Sequence, residues 1–331
     1  MNRSKQHRPA FTLLELVVVL AILAVVTTLA VRSLDGLEDQ SRYEKNVRGF
    51  EELSAAVLGS PDDRAADGTR TVGGFVADMG RLPRTVADGS GELTLAELWQ
   101  YPGDNFKFDV RQASVANGVP ATLIDPQVYV AGGWRGPYLR LPTGAATWLD
   151  GWGNPMSSPA ASSPGDPNGI GYARLRNTND LPINAAGEEI RIIRHLGANG
   201  RFDPLDPGYD RDDKLSFTDG FTSTLTVQVK VVDIDPPITP IPSGTVTICL
   251  FGPDPANSGK ILVQQTDPAQ LAFTVTEDPT TGVFPGLTIG SRVVRAYFNV
   301  ATTTASALDK SAVKNITLRP GANFVELTID R

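Results

Sequence analysis

The chain has a single cysteine in 331 residues, so neither an intramolecular disulfide nor a cysteine-built zinc site is open to it. It has two histidines, and His7 lies in a basic N-terminal tail. A Ser-His-Asp triad or a His-rich metal centre would therefore rest on His195 alone. Basic residues are outnumbered, 30 against 37 acidic, for a net charge of −7. A nucleic-acid binder would carry a basic face instead, so no nucleic-acid partner is expected. With 41% hydrophobic and 20% charged residues, the composition is that of a chain with real cores, which excludes wholesale disorder. The length suits two domains. These absences point away from an enzyme.

The N-terminus is organised by hydropathy. A tail carrying Arg3, Lys5 and Arg8 precedes an apolar run from Phe11 to Val31, 21 residues long. At 1.5 Å per residue such a helix crosses a hydrocarbon core of about 30 Å. Arg32, Asp35, Glu38 and Asp39 follow, a charge asymmetry that predicts a cytoplasmic tail and an external body. A cleaved secretory signal has a shorter apolar region followed by an A-x-A-like site, and Thr28-Leu29-Ala30-Val31-Arg32 matches one poorly. A simple signal anchor leaves Glu15 unexplained. A carboxylate so deep in an apolar helix costs about 2.5–3.5 kcal/mol on insertion scales and calls for a partner.

Arg8-Pro9-Ala10, then Phe11-Thr12-Leu13-Leu14-Glu15 and an aliphatic run, resembles the class III signal of type IV pilins and pseudopilins. The resemblance implies that a prepilin peptidase cuts between Ala10 and Phe11 on the cytoplasmic side and that the amine of Phe11 is then methylated. It makes Glu15 the family's signature glutamate. One departure is visible, Ala10 standing where Gly is usual. When such helices leave the bilayer and stack, a buried carboxylate needs a cation. The Phe11 amine of an adjacent subunit supplies one, and the pair sets axial register because any other stagger buries a lone charge.

The helical pattern predicts continuation to Val57 or Leu58, with Leu34, Leu37, Val47, Phe50 and Leu53 on an amphipathic face; Gly59-Ser60-Pro61 ends it. Residues 60–150 read as loop-rich. Trp134-Arg135-Gly136-Pro137-Tyr138-Leu139 and Asp150-Gly151-Trp152-Gly153-Asn154-Pro155 are similar to a loop of type II secretion major pseudopilins. Glycines and Asn-Pro suit tight turns, and the rings suit pinning an irregular loop to the helix. A sugar-binding role for Trp134 and Trp152 is the other reading.

From His195 to Asp213 the chain is acidic, with five aspartates and one asparagine between Asn199 and Asp213. Carboxylates, amides and carbonyls in such loops suit Ca²⁺, although the spacing is not an EF-hand; a solvated acidic loop is the plainer reading. Leu196-Gly197-Ala198-Asn199-Gly200 is similar to the segment that opens the calcium loop of type II secretion pseudopilins. That resemblance implies bound Ca²⁺ held by Asn199, Asp210, Asp212, Asp213 and the Leu196 carbonyl. Asn199 replaces the usual Asp, and prolines replace the usual Gly-rich stretch. His195 reads as a strand-end residue. In a chain lacking a second cysteine, a metal clip would close this loop.

From Thr222 charge thins out, and Val, Ile, Thr and Phe alternate with small polar residues. Asp235-Pro236-Pro237 to Pro242 reads as a stiff linker or strand edge. Strands are predicted over Thr245–Phe251, Lys260–Gln264, Leu271–Thr276, Ser291–Val300, Lys314–Leu318 and Phe324–Ile329. Pro279-Thr280-Thr281-Gly282 and Arg319–Asn323 read as turns between them. The segment resembles immunoglobulin-like or carboxypeptidase-regulatory-like accessory domains in type only. Cys249 reads as a small buried hydrophobe, and Arg292–Val300 as a half-buried strand.

The predicted architecture is α+β: a leader (1–10), a transmembrane or filament-core helix (11–31), a globular region with a small antiparallel sheet (32–221) and a β-sandwich (222–331). The resemblance implies a non-enzymatic filament subunit, a pseudopilin supporting protein export. The alternative is a type IV (minor) pilin displaying its β domain for adhesion or DNA uptake. Implied partners are the prepilin peptidase/N-methyltransferase, copies of itself and other pilins, and an inner-membrane assembly platform. The implied location is the bacterial inner membrane, single-pass, and then a periplasmic or surface filament.

Overall fold

The computed structural model of the chain describes residues 13–60, 62, 66, 72–103, 106–112, 116–117, 128–159, 174–200, 208–210, 212–217, 221–232, 244–254, 261–265, 272–273, 279–300 and 310–330. The leader, Ala10 and Phe11, and the Asp235–Pro242 linker lie outside the described residues. The chain is α+β, with one long helix, one short helix and many short antiparallel strands in several sheets.

Helix α1, Leu13–Leu58, is continuous across the apolar run and the polar stretch behind it. It stops where Gly59 takes φ +80° and donates its N–H to the Ala55 carbonyl at 2.9 Å, a left-handed cap that suits glycine. Between Leu13 and Leu29 the large apolar side chains are 47–80% exposed, on every side of the helix. Among the described residues no helix is long and apolar enough to cross a membrane. The side chains described for the apolar run end at Leu29, short of its end at Val31.

The second half of α1 packs differently from the predicted stripe. Leu53 is buried and Phe50 half-buried, but Leu37 and Val47 are exposed. The contact face instead runs through Asn46, Gly49, Leu53, Ala56 and Val57. Two of these are polar or small because what docks there is a loop: the Trp148 ring lies against Gly49, and Asn46 receives a backbone N–H.

Helix α2 (Gly74–Met79) packs against α1, and short strands follow it: β1 (Val86–Ala87), β2 (Glu92–Thr94), β3 (Asp109–Gln112), β4 (Ala116–Asn117), β5 (Tyr129–Gly132), β6 (Ser157–Pro159), β7 (Leu175–Arg176), β8 (Ile192–His195) and β9 (Asp213–Ser216). They form the sheets β1-β2-β6, β3-β5 and β7-β8-β9. The core that α1 and α2 share with the sheets β1-β2-β6 and β7-β8-β9 includes Leu53, Phe75, Leu82, Leu98, Met156, Ile193 and Phe217. Within it Arg81 forks onto Glu97 with two bonds of 2.8 Å, and Glu97 also accepts the Arg84 N–H.

The remaining strands are β10 (Thr222–Val232), β11 (Gly244–Pro253), β12 (Ile261–Gln265), β13 (Ala272–Phe273), β14 (Thr280–Thr288), β15 (Gly290–Val300), β16 (Lys310–Leu318) and β17 (Gly321–Asp330). One sheet runs β14-β10-β17, with β10 and β17 parallel from Ser223↔Gly321 to Val232↔Asp330. The other runs β16-β15-β11-β12-β4, with β13 also on β11. The two sheets share a core of Leu225, Val227, Val229, Ile248, Phe298 and Leu327 among others.

Two readings are corrected here. Pro279–Gly282 is not a separating turn, because Thr280–Thr288 is a strand. An edge strand tolerates Pro285 and Gly286, which fall at the irregularity between Phe284 and Leu287 in its pairing with β10. Strand β15 is not half-buried either: Val293, Val294, Ala296, Tyr297 and Phe298 are all buried. Its inner face fills the sandwich, while on its outer face Val293 and Tyr297 cluster with Cys249, Phe251 and Ile261 of the same sheet and with Val128 and Val130. A strand covered on both faces loses its alternation. Cys249 is fully buried, and burial pushes its thiol up to about 12.

Candidate functional site

Glu15 stands in the first described turn of α1 as the acidic residue there. Its implied partner Phe11, and Ala10 of the implied cleavage site, lie outside the described residues.

Further along α1, between Arg42 and Phe50, two loops are clasped to the helix. The first is Asp150–Asn154. The fully buried Asp150 accepts the backbone N–H of Trp152 (2.9 Å) and Asn154 (2.8 Å) and the guanidinium of Arg174 (2.8 Å). The loop is thus folded round one carboxylate. Gly151 donates its N–H to the Asn46 side chain. A Cβ on Gly151 would stand 2.1 Å from the Arg42 carbonyl oxygen, so only glycine permits this approach. Arg42 lies over the Trp152 ring, 5.6 Å from its centre. Burial holds the Arg174 guanidinium below its ordinary range, and Asp150 opposes that.

The second loop runs from His195 to Asp213. His195 is buried between Tyr43 (6.3 Å, edge-on) and Phe50 (5.6 Å). Its Nδ1 accepts the Gly197 N–H at 3.2 Å, and its Nε2 lies 3.6 Å from Asp213 Oδ2, which also accepts the Tyr43 hydroxyl at 3.1 Å. Burial pushes the imidazole below its ordinary value, with Asp213 and Asp150 pulling upward and Arg174 downward. Tyr209 bridges the loops, its ring 6.0 Å from Tyr43 and 6.5 Å from Trp152.

The residues expected to hold Ca²⁺ converge only in part. Ala198 donates to the Tyr209 carbonyl at 2.9 Å, and Gly197 (φ +56°) lies so close that a Cβ would stand 2.2 Å from the Asp210 carbonyl oxygen. Leu196 and Asp210 are thereby drawn together at the mouth of the β8–β9 pair. Asp213 faces His195 across that pair. Asp212 is buried in the field of Arg174 and Arg176, and Asn199 is exposed. Among the described residues no three His, Cys, Asp or Glu side chains gather to hold a metal ion. Residues 201–207 and 211, which include Asp203 and Asp206, lie outside them.

Trp134 and Trp152 are packing residues in this geometry. Trp134 donates its indole N–H to the Glu97 carbonyl at 2.7 Å and meets Tyr138 edge-on at 5.9 Å. Asp78 accepts from Arg135 and from the Tyr138 hydroxyl (3.0 Å), and burial raises its carboxyl above the ordinary range. Sequence reasoning missed Tyr43, Asn46, Gly49 and the hub role of Asp150. A polar Asn and a Gly on an otherwise apolar helix face were the available signals.

Residues 5–31 match the family of the prokaryotic N-terminal methylation motif, the type IV pilin and pseudopilin signal. No curated protein and no solved structure is significantly similar to the chain.

Proposed function

We infer that this chain, which carries the N-terminal signal of type IV pilin-like proteins, is a structural subunit of a type II secretion-like pseudopilus that supports protein export. The observation that carries the reading is α1 itself. Its first 17 described residues, Leu13–Leu29, present apolar side chains all round. Such a surface needs lipid first and neighbouring helices afterwards. In this reading the prepilin peptidase frees Phe11 at the inner membrane, its methyltransferase activity methylates the amine, and the assembly platform lifts the subunit out of the bilayer. Glu15 meets the Phe11 amine of the next subunit, with the tail cytoplasmic and the body periplasmic. Mass spectrometry of the polypeptide from native membranes is expected to find N-methylated Phe11 as its first residue; any other first residue refutes the reading. Deletion is expected to abolish exoprotein secretion and leave no surface fibre missing.

The second reading is a minor type IV pilin exposing its β region for adhesion or DNA uptake. The bulk of the paired sheets from Thr222 onward favours it, being large for a subunit that must repeat along a filament. Recovery of the chain in sheared surface fibres would select this reading.

Ca²⁺ is proposed as the clip of the second loop, with the Leu196 carbonyl, Asn199, Asp210, Asp212 and Asp213 as its oxygen donors. The close contact of Gly197 with Asp210 supports it; the cations beside Asp212 and the bonds already made by Asp213 count against a full five-donor set. A resident cation would hold the loop shut and add stability as RT ln(1 + [Ca²⁺]/Kd), about 2.7 kcal/mol at a hundredfold excess over Kd. Melting in calcium is expected to exceed melting in chelator, and coincident curves would remove the site.

A further inference from the structure

Five arginines are buried among the described residues. Four have a carboxylate at hand: Arg81 with Glu97, Arg174 with Asp150, and Arg176 and Arg194 with Asp180. Arg292, 5% exposed, is the exception. Its guanidinium donates to the Ser291 carbonyl (2.8 Å), the Thr288 carbonyl (2.9 Å) and the Thr288 hydroxyl (2.5 Å). All three acceptors are neutral. No acidic group among the described residues comes within ion-pair distance, and burial alone lowers its ordinary value, to about 10. It is charged at neutral pH, and a buried charge answered only by dipoles is costly.

The side chain lies at a cavity of about 110 Å³ where β11, β12, β14 and the C-terminal cap of α2 meet. Gly252 makes room for it, since a Cβ there would stand 2.6 Å from both Cδ and Nε of Arg292. The cavity walls are Leu250, Leu262, Leu287 and Pro253, with Gln264 as the other polar side chain besides Thr288. One fixed positive charge matches a single negative charge. A dianionic phosphate would want more cations and donors than are present. Apolar walls suit a short alkyl group, and the volume, a few times the roughly 30 Å³ share of one water, admits an acetate- or propionate-sized molecule.

We propose that Arg292 is the anchor of a binding site for a small monocarboxylate, with Gln264 as second polar contact and the leucines and Pro253 around the alkyl end. The site is independent of the filament reading, because it lies wholly between the C-terminal sheets and α2.

The test uses the full chain in detergent, melted in increasing sodium acetate or propionate, with sulfate and phosphate arms at equal ionic strength. Line broadening of ¹³C-labelled acetate measures occupancy directly. A saturable rise in melting temperature with the carboxylates only is expected, at least tenfold weaker in affinity in Arg292→Gln and at least threefold weaker in Gln264→Ala. Should Arg292→Gln fail to fold, Gly252→Ala, which displaces the guanidinium, is expected to lose acetate binding while Gly286, Thr288 and the sheets keep their places. A response that does not saturate, an equal response to sulfate or phosphate, or undiminished binding in any of these variants overturns the proposal and leaves Arg292 as a cap on the Thr288 turn.

Discussion

His195 is buried with its Nδ1 hydrogen-bonded and its Nε2 3.6 Å from Asp213 Oδ2, beyond hydrogen-bond distance. Its Nδ1 accepts the Gly197 N–H, so the neutral ring carries its proton on Nε2, toward Asp213. Protonating Nδ1 would set donor against donor and break the hold on the segment that begins at Leu196. The direction of its shift, downward through burial, gives the sign of the pH dependence. The unfolded chain takes up the proton near the ordinary histidine value of about 6.5, before the folded chain does. The stabilising contribution is thus complete above that value and is lost as pH falls from it toward the lower folded value. Denaturant midpoints are expected to drop between pH 7.5 and pH 5.5, and to drop less in His195→Gln; equal slopes would show that His195 is not the group involved. At the same scale, Glu15→Ala is expected to leave membrane insertion intact while filaments fail or lose register, read by filament yield and image periodicity. Normal filaments would remove the charge-pairing argument.

Helix α1 separates two glycines that propensity alone would treat alike. Around Gly36 nothing lies within 4 Å of an added Cβ, whereas at Gly49 that atom would stand 2.5 Å from the Trp148 ring. Gly36→Ala is expected to stabilise the chain by about 1 kcal/mol through helix propensity. Gly49→Ala should destabilise it by about 1–3 kcal/mol, because the tryptophan has to move. Chemical unfolding of the two variants checks this; the same sign for both would mean that Trp148 is free to shift. The contrast also marks what the sequence could convey. Helix length and the stop at Gly59 were legible, since continuous hydropathy and a terminal glycine are local signals. The docking face was not, because Asn46 and Gly49 are chosen by Gly151 and Trp148, about a hundred residues away, and no local period encodes those partners. The same holds for the start of β14, where Pro279 and Gly282 suggested a turn although Gly282 pairs with Val227 of β10.

Across the whole molecule, the C-terminal sheets and the helix-packed region share atoms at their boundary. Pro253 lies 3.2 Å from where a Cβ on Gly80 would sit, and Gly290 packs on the Ala77 carbonyl. Ile289 joins the core built around Leu53 and Phe75, and Val128 and Val130 join the one beside β15. The composition shift at Thr222 gave the start of β10, but sequence could not disclose this shared burial, since apolar residues do not announce which surface they cover. A fragment of residues 33–221 is expected to melt lower than residues 33–331 and to aggregate, each uncovered large apolar side chain forfeiting about 1.5–3 kcal/mol. Equal melting temperatures would show that the boundary contacts contribute nothing.

Strand β10 has its parallel neighbour in β17, so the first strand of the C-terminal sheets waits for residues 321–330. In the filament-subunit reading proposed above, the leading helix would enter the bilayer while that half of the body is unfinished. Folding of this sheet would therefore be completed by the arrival of β17: a chain stopped before Gly321 leaves β10 without its parallel neighbour, an open sheet edge exposed to proteolysis.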